Sequence, residues 1–183
     1  KLTTLFLDKT GTLTQGRFSI ARKVSFSDQW SETELLALIA RLETYSEHPI
    51  ASAFAPYLTP GDPLSQVQLH VGEGLSALWT SPDGQQRQLQ VGSAAFCRCT
   101  TVEAAQVYCS IDGKLQLAVE LDDKLRPETA ATLVALHQQQ LKLVLLTGDS
   151  SSQVEQLASQ LPFDRVEKSC SPERKVELVQ QAV

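Results

Sequence analysis

The sequence predicts an α/β fold in which a parallel-sheet domain is interrupted by an inserted α+β domain built on an antiparallel sheet. Two apolar runs, one before Asp8 and one before Thr147, end abruptly in polar loops that contain glycine, as strands of an open parallel sheet do. Helix-like and strand-like segments alternate from about residue 122 onward. Before them, residues 67–121 contain short strand-like runs separated by turn residues, a pattern typical of an antiparallel sheet.

Length and composition indicate an ordinary globular protein. The 183 residues are 42% hydrophobic and 20% charged, with a formal net charge of −5, so no basic field indicates a nucleic-acid partner. No apolar run reaches the roughly 18 residues of a membrane helix, and no signal peptide is visible. Because the chain contains no methionine and begins directly in a strand-like run, we expect a soluble, monomeric piece of a longer protein.

The four cysteines form no recognisable metal or disulfide framework. None lies in a C-x-x-C pair, and no histidine is close enough in sequence to complete a zinc site. Reduced thiols are therefore expected. The sequence leaves open whether Cys97 and Cys99 together bind a soft metal.

The first third of the chain predicts one strand and two helices. Loose alternation at residues 17–26 predicts the strand. Ser31 and Glu34 form a capping-box pattern, and the helix that they start has an apolar face made of Leu35, Leu36, Leu38, Ile39 and Leu42. A second helix is predicted over residues 49–58 because proline is suited to the first helical position.

The rest of the chain supplies the remaining elements. Strands are predicted at residues 67–71, 75–80, 89–91, 104–110 and 115–121. The alternating pattern that follows predicts helices at 127–140 and 151–161, strands at 141–146 and 165–169, and a last helix from residue 172. The parallel-sheet domain therefore comprises residues 1–17 and 122–183, and the inserted domain comprises residues 18–121. The two short crossings between them are expected to act as a hinge.

Asp8 is the first candidate catalytic residue. It ends the first strand, where ligands bind in open α/β sheets, and the sequence around it reads D-K-T-G-T-L-T. A carboxylate can accept a phosphoryl group covalently, and amides and hydroxyls around Gly11 can surround the phosphate. An isolated aspartate would more often cap a loop, but this pattern is far more specific. It resembles the phosphorylation motif of the P-type cation-transporting ATPases, members of the haloacid dehalogenase superfamily.

Five further motifs follow in the order of that family. They are Ser46-Glu47-His48-Pro49, which resembles the S-E-H-P signature of the heavy-metal (copper, zinc, cadmium) subclass; Gly72-Glu73-Gly74, which resembles the start of the G-x-G-x-G loop; Asp123 and Arg126, which fit the D-x-x-R hinge element; Thr147-Gly148-Asp149, the T-G-D motif; and Pro172-Glu173-Arg174-Lys175, the P-x-x-K motif. The similarity covers essentially the whole chain. It implies a Rossmann-like phosphorylation domain of the haloacid dehalogenase type, truncated at its C-terminus, with an inserted nucleotide-binding domain.

The resemblance implies a covalent mechanism for the parallel-sheet domain. Asp8 would attack the γ-phosphorus of ATP and form an aspartyl phosphate. Such transfers depend mostly on positioning and cationic stabilisation, and these roles are implied for Lys175, Thr147 and Gly148. Mg²⁺ prefers oxygen ligands and keeps several waters, and Asp8 and the Thr10 carbonyl are the implied ligands. Asp149 is expected nearby, and its contact with metal, nucleotide or loop is left open.

The inserted domain is expected to hold the nucleotide. By the resemblance, His48, followed by Pro49, stacks on adenine or hydrogen-bonds to the nucleotide. Glu43 falls where the subclass has an acidic residue suited to accept from the adenine amino group.

Glycines of the inserted domain would let the backbone approach the ligand closely. The candidates are Gly72, Gly74 and Gly92, although a plain turn explains the first two equally well. Ser76 and Ser93 depart from the family, in which glycine and asparagine are common at these positions. Both serines are small and polar, so ATP binding is expected to survive in weakened form.

Thr10 separates two hypotheses. Phosphatases of the superfamily carry a second aspartate two positions after the nucleophile, where it serves as general acid and base. With threonine there, an aspartyl phosphate should hydrolyse slowly, which suits a pump and argues against a stand-alone phosphatase. A non-catalytic nucleotide-binding module is a third hypothesis, which the intact set of Asp8, Thr147 and Lys175 makes unnecessary.

The family implies a larger protein around this chain. The chain would be the ATP-binding catalytic portion of a heavy-metal pump, with copper favoured only because that subgroup is widespread. Its partners would be its own membrane helices, an actuator domain and the transported ion, and it would lie on the cytoplasmic side. Family members continue into a G-D-G-x-N-D loop whose aspartate completes the Mg²⁺ site. The fragment is therefore expected to bind ATP but to turn it over poorly.

Overall fold

A computed structural model describes residues 2–149 and 152–183. The chain divides into two units, Lys1–Gly16 with Asp123–Val183 and Arg17–Asp122, which we call the Asp8 unit and the insert unit. The strands are β1 (Thr4–Asp8), β2 (Thr14–Ser25), β3 (Leu64–His70), β4 (Gly74–Thr80), β5 (Gln86–Gly92), β6 (Val107–Ile111), β7 (Lys114–Leu125), β8 (Lys142–Leu146) and β9 (Arg165–Glu167). The α-helices are α1 (Glu32–Glu43), α2 (Thr129–Gln138), α3 (Ser152–Gln160) and α4 (Pro172–Gln181).

The Asp8 unit contains a three-stranded parallel sheet in the order β1-β8-β9. Both faces of β8 are covered, which explains its continuous apolar sequence. One face packs in a cluster with Leu133 of α2 and Val154 of α3, and the other packs with Leu178 of α4. Asp8 lies opposite Leu146 in the register, so the loops after β1 and β8 leave the same edge of the sheet.

The insert unit is built on a six-stranded sheet in the order β2-β7-β6-β5-β4-β3. The strand pairs from β3 to β7 are antiparallel and consecutive in sequence. Helix α1 covers one face, and its predicted capping box is present: the Ser31 hydroxyl accepts from the Glu34 amide, and the Glu34 carboxylate accepts from the Ser31 amide. The core beneath α1 is fully buried and includes Leu35, Ile39, Leu75, Val91 and Val107.

The helix predicted over residues 49–58 is wrong. The segment forms two short 3₁₀ turns, Pro49–Ala53 and Ala55–Tyr57. Pro56 explains the difference, because a proline inside a helix lacks the N–H donor and clashes with the preceding turn.

Several strands begin at other residues than predicted, β3 and β6 among them. β3 begins at Leu64 and contains an irregularity between Ser65 and Gln68, where Gln66 has a positive φ of 49°. β6 begins at Val107 because Ala104 has a φ of 64°, which does not fit a strand. The predicted start of the helix at residue 151 lies outside the described residues.

The predicted fold class is confirmed: an α/β unit with a parallel sheet accompanies an inserted unit with an antiparallel sheet. Among the described residues, none of the helices has the length and apolar character needed to cross a membrane.

Candidate functional site

Asp8 lies at the end of β1 with two donors on one of its oxygens. The Lys175 ammonium contacts Oδ1 at 2.8 Å, and the Lys9 amide donates to the same atom at 3.0 Å. Oδ2 has no hydrogen-bond partner in the described part of the chain. The Asp8 side chain is 49% exposed, so this second oxygen is accessible to an electrophile while the first is held by cationic and amide donors.

The T-G-D loop lies on the neighbouring strand. Thr147 follows β8 and is buried, and its hydroxyl oxygen accepts from the Asp149 amide at 3.1 Å. That bond leaves the hydroxyl hydrogen available for an incoming phosphate oxygen. Gly148 is exposed beside it. A Cβ at this position would stand 3.4 Å from the Cys170 carbonyl oxygen, at ordinary van der Waals contact.

Lys9 forms a buried ion pair that the sequence did not predict. Its Nζ lies 2.5 Å from Asp149 Oδ2, and the Lys9 side chain is only 7% exposed. The pair ties the loop after β1 to the loop after β8. Asp149 therefore contacts the first loop through a lysine side chain, and its contact with metal or nucleotide stays a prediction. The available signal was the position of this lysine directly after the candidate nucleophile.

The loop after Asp8 is a wide turn. Two residues at the start of the unit's second segment, Asp123 and Arg126, hold it in place. Gly11, at a φ of 78°, allows the chain to reverse. The Arg126 guanidinium donates to the Gly11 and Thr12 carbonyls. The buried Thr14 hydroxyl donates to Asp123 Oδ2 at 2.6 Å. Both predicted hinge residues therefore bind the segment that carries the nucleophile.

The residues expected to hold Mg²⁺ offer two of the oxygen ligands that this ion needs. Asp8 supplies a carboxylate and Thr10 a main-chain carbonyl, which are the hard oxygen donors that this ion prefers while keeping several waters. No group of three or more His, Cys, Asp or Glu side chains that could hold a metal occurs within residues 2–149 and 152–183. Two protein oxygens fit an ion whose remaining ligands are water and phosphate.

The insert unit contains a cavity of about 240 Å³ at the ends of its strands. Five of the six residues expected to bind nucleotide line it, namely Glu43, His48, Gly72, Gly74 and Gly92. Pro49 does not line it and instead occupies the first position of the 3₁₀ turn. Sequence reasoning missed the apolar wall, which consists of Ile50, Leu69, Leu75, Val91 and Val107. These residues carry no polar signal and resemble ordinary core residues in the sequence.

Glu43 brings a buried carboxyl group to this cavity. It is the last residue of α1 and is 5% exposed. Burial raises its pKa to about 7, because a low-dielectric environment disfavours the charged form. Its carboxyl group has no hydrogen-bond partner in the described residues. A ligand that donates a hydrogen bond would therefore find an unsatisfied acceptor.

The His48 ring is held in place by a cap. Its Nδ1 accepts from the Ile50 amide at 3.2 Å, as a residue at a helix start does. Nε2 therefore carries the proton of the neutral ring and can donate to a ligand.

The three glycines that line the cavity are required for different structural reasons. Gly72 lies in the β3–β4 turn at a φ of 77°, and a Cβ on it would have no atom within 4 Å. Gly74 and Gly92 pair across β4 and β5. A Cβ on Gly74 would lie 2.2 Å from the Val91 carbonyl oxygen, and one on Gly92 would lie 2.2 Å from the Glu73 carbonyl oxygen. Close approach of two strands, rather than a turn, requires these two glycines.

Ser76 and Ser93, which stand where glycine and asparagine are common in the family, both use their hydroxyl groups in contacts within the insert unit. The Ser76 hydroxyl lies 2.9 Å from His70 Nε2. The Ser93 hydroxyl accepts from the Phe96 amide at 3.1 Å, and its carbonyl accepts from the Cys97 amide. Both side chains are therefore engaged within the insert unit.

A family model for haloacid dehalogenase-like hydrolases matches residues 2–182. The chain belongs to this family. A nucleophilic aspartate after the first strand, a lysine beside it and a threonine after the neighbouring strand are what the resemblance implied for such a hydrolase, and the structure brings all three to one sheet edge.

Within the haloacid dehalogenase-like hydrolases, the chain is similar to copper-transporting ATPases. It is 30% identical to the copper-exporting P-type ATPase of Mycobacterium leprae over 97% of this chain and 24% of that protein. It is 32% identical to the probable copper-transporting ATPase PacS of Synechococcus elongatus, over 97% of this chain and 26% of that protein. The chain thus spans about a quarter of the length of these relatives.

Solved structures of such hydrolases show the same fold. The catalytic domain of the CPx-ATPase CopB-B superposes with a TM-score of 0.76 at 23% identity, covering 98% of this chain and 67% of that one. A zinc-transporting PIB-type ATPase in the E2·Pi state superposes with a TM-score of 0.62 at 26% identity, covering all of this chain and 31% of that one. The resemblance predicted from the motifs is confirmed.

Proposed function

We propose that the chain is the ATP-binding catalytic portion of a heavy-metal-transporting P-type ATPase, in which Asp8 accepts the γ-phosphate of ATP. The observation that carries the proposal is the contact of Lys175 with Asp8 at the edge of the parallel sheet. The similarity to copper-transporting relatives supports copper as the transported ion. The membrane helices and an actuator domain of the same protein are the proposed partners.

The two units would divide the work. Residues 1–17 and 122–183 would form the phosphorylation domain, and residues 18–121 the nucleotide-binding domain. In the latter, Glu43 would accept from the adenine amino group and His48 would contact the base, while Gly72, Gly74 and Gly92 would bring the backbone close to the ligand. Asp123 and Arg126 would act near the hinge by holding the nucleophile loop.

The chemical step is a phosphoryl transfer to a carboxylate. A carboxylate oxygen of Asp8 forms a bond to the γ-phosphorus as the bond from that phosphorus to the β–γ bridging oxygen breaks, and ADP leaves with the bond electrons. Lys175 stabilises charge on the transferring oxygens, and the Thr147 hydroxyl and the Gly148 amide donate to them. Mg²⁺ bound by Asp8 and the Thr10 carbonyl would neutralise phosphate charge.

Covalent labelling tests this assignment directly. In the full-length pump, Asp8→Asn should abolish acid-stable incorporation of label from γ-³²P-ATP, because an amide cannot accept the phosphoryl group. Asp28→Asn, at an exposed bend of the insert unit, serves as the matched control and should label normally. Label retained in the Asp8 variant would exclude Asp8 as the acceptor.

A second variant tests the phosphatase alternative. Thr10→Asp introduces a carboxylate two positions after the nucleophile, where it can act as general acid and base. We expect the aspartyl phosphate to hydrolyse about 100-fold faster, since such groups typically contribute 10²–10⁴-fold. The measurement is the decay of the labelled intermediate after a chase with unlabelled ATP. Rapid phosphate release from small phosphate esters by the wild-type chain would instead favour the phosphatase.

A further inference from the structure

The Gly74–Gly92 pair forms part of the wall of the candidate nucleotide cavity, yet neither residue has a side chain to hold it. Glycine has more backbone freedom than any other residue. The two strands meet here so closely that Gly92 Cα would lie 2.7 Å from a Cβ on Gly74. A wall of this kind keeps its shape only if neighbouring side chains support it.

Phe96 supplies support behind both glycines. Its Cδ1 atom lies 2.9 Å from the position that a Cβ would take on either Gly74 or Gly92. The phenyl ring therefore fills the space that two glycine side chains would otherwise occupy. The ring packs in turn against His70, with ring centroids 4.9 Å apart and planes tilted by 46°.

His70 connects Phe96 to β4. Its Nε2 lies 2.9 Å from the hydroxyl oxygen of Ser76, a residue two positions after Gly74 on the same strand. His70 is itself the last residue of β3 and pairs with Gly74. One hydrogen bond and one ring contact thus fix β3, β4 and the segment that carries Phe96.

His70 and Ser76 project to the opposite face of the sheet from α1, and His70 also lines the cavity. Along β4, Leu75, Ala77 and Trp79 are buried in the core beneath α1. Because side chains alternate between the two faces of a strand, Ser76 projects to the other face. Glu43 and Ile50, which line the cavity, come from the α1 side.

We propose that His70 is a positioning residue for nucleotide binding, because its bond to Ser76 and its contact with Phe96 hold the Gly74–Gly92 wall in the shape that the ligand needs. The proposal rests on the proposed function of the insert unit. A wall that is already ordered reduces the conformational entropy lost on binding, so residues that support it increase affinity. His70 also lines the cavity, so the test has to separate its support of the wall from a direct contact with the ligand.

The test is a set of ATP titrations by calorimetry on the 183-residue chain. His70→Leu and Ser76→Ala remove the same hydrogen bond from its two ends, and each should raise the Kd for ATP about three- to tenfold. The double variant should bind no more weakly than the weaker single variant, because one shared interaction is lost. His70→Gln, whose amide can replace Nε2 but not the ring contact with Phe96, should bind ATP more tightly than His70→Leu. His137→Leu, on α2 of the Asp8 unit, is the matched control.

The outcomes separate the role of His70 from the proposed function. If the folded wild-type chain shows no saturable ATP binding, the proposed function fails and the role of His70 fails with it. If the wild type binds ATP and Ser76→Ala binds equally well, only the positioning role of His70 is overturned, because a loss confined to His70→Leu would indicate a direct contact of this cavity-lining residue with the ligand. A lower melting temperature with unchanged Kd at a temperature where each variant is folded would show mere structural support and would also overturn it. If His70→Leu does not fold, Ser76→Ala decides, since it removes a single oxygen atom.

Discussion

The Asp8 unit and the insert unit build their candidate sites in opposite ways. In the Asp8 unit, charged side chains are already paired, Asp8 with Lys175 and Lys9 with Asp149. In the insert unit, the cavity is mostly apolar, and its buried carboxyl group at Glu43 has no partner in the described residues. The first site is organised before a ligand arrives, whereas the second offers groups that a ligand would satisfy.

This difference indicates which physical property each candidate site depends on. An arrangement of paired charges depends on charge balance, so removing one partner should affect chemistry strongly. A cavity of close-packed strands and buried groups depends on shape and protonation, so small volume or pH changes should affect affinity. The following substitutions test that division, from the largest expected effect to the smallest.

Lys175→Met should separate chemistry from binding. Loss of the ammonium group removes the cation that contacts Asp8. In the proposed full-length pump, we therefore expect phosphoenzyme formation to fall at least about 100-fold. Calorimetric ATP affinity of the chain should change less than about twofold, since the nucleotide cavity lies in the other unit. Lys142→Met, an exposed lysine at the start of β8, is the control. An equal loss of affinity and of labelling in Lys175→Met would contradict the division.

Gly74→Ala should damage the insert unit through a steric clash that adds to backbone strain, because Gly74 has a φ of 155°. Its methyl group would meet the Val91 carbonyl oxygen at 2.2 Å, and we expect a loss of about 3 kcal/mol in the free energy of unfolding. Gly84→Ala is a matched control, because Gly84 has a φ of 80° with nothing within 4 Å. Left-handed backbone strain alone should cost the control about 1 kcal/mol. Urea denaturation measures both, and equal losses would show that strand approach is not the reason for Gly74.

Glu43→Gln should remove a pH dependence of ATP affinity. If ionised Glu43 accepts from the adenine amino group and its pKa is about 7 in the free chain, the binding form rises from about a tenth at pH 6 to about nine tenths at pH 8. Wild-type affinity should therefore rise about tenfold over that interval. The glutamine variant reports the titration of ATP itself and should show a flatter profile. Parallel profiles would exclude Glu43 from the contact.

The same ionisation has a consequence for stability with a definite sign. The pKa of Glu43 is raised from 4.5 to about 7 by burial, so the folded chain binds more protons than the unfolded chain between these values. The stabilising contribution of this group is fully present below pH 4.5 and is lost as the pH rises through 7. At pH 8 the loss is about 3 kcal/mol. Glu43→Gln should escape this loss, so its melting temperature should exceed that of wild type at pH 8 more than at pH 5.

The sequence predicted the organisation of the Asp8 unit well because its signals are local. A buried parallel strand is a continuous apolar run, and the polar loop directly after it marks the sheet edge. β1 and β8 show this pattern in the residues before Asp8 and Thr147. The pair of Lys9 with Asp149 was not predicted, since 140 positions separate its members and only the parallel register brings them together.

The insert unit was harder to predict because its cavity depends on packing. Glu43 and His48 could be identified through the resemblance, but other lining residues could not, since Leu75 and Val91 look like any core residue. The wrong helix at residues 49–58 has a local cause, since Pro49 favours a helix start while Pro56 prevents the helix from continuing. The roles of Gly74 and Gly92 also emerge only from the strand register, which brings two glycines opposite each other.

The state of the cysteines makes the chain convenient for spectroscopy. Burial raises the pKa of Cys97 to about 11 and that of Cys109 further, and also raises that of Cys99. The thiolate is the form that reacts with maleimides, so these native sulfur atoms should label slowly at neutral pH. Reporter dyes could then be attached at Asp28→Cys and Gln180→Cys, one exposed position in each unit, and energy transfer between them would test whether ATP changes the distance between the two positions.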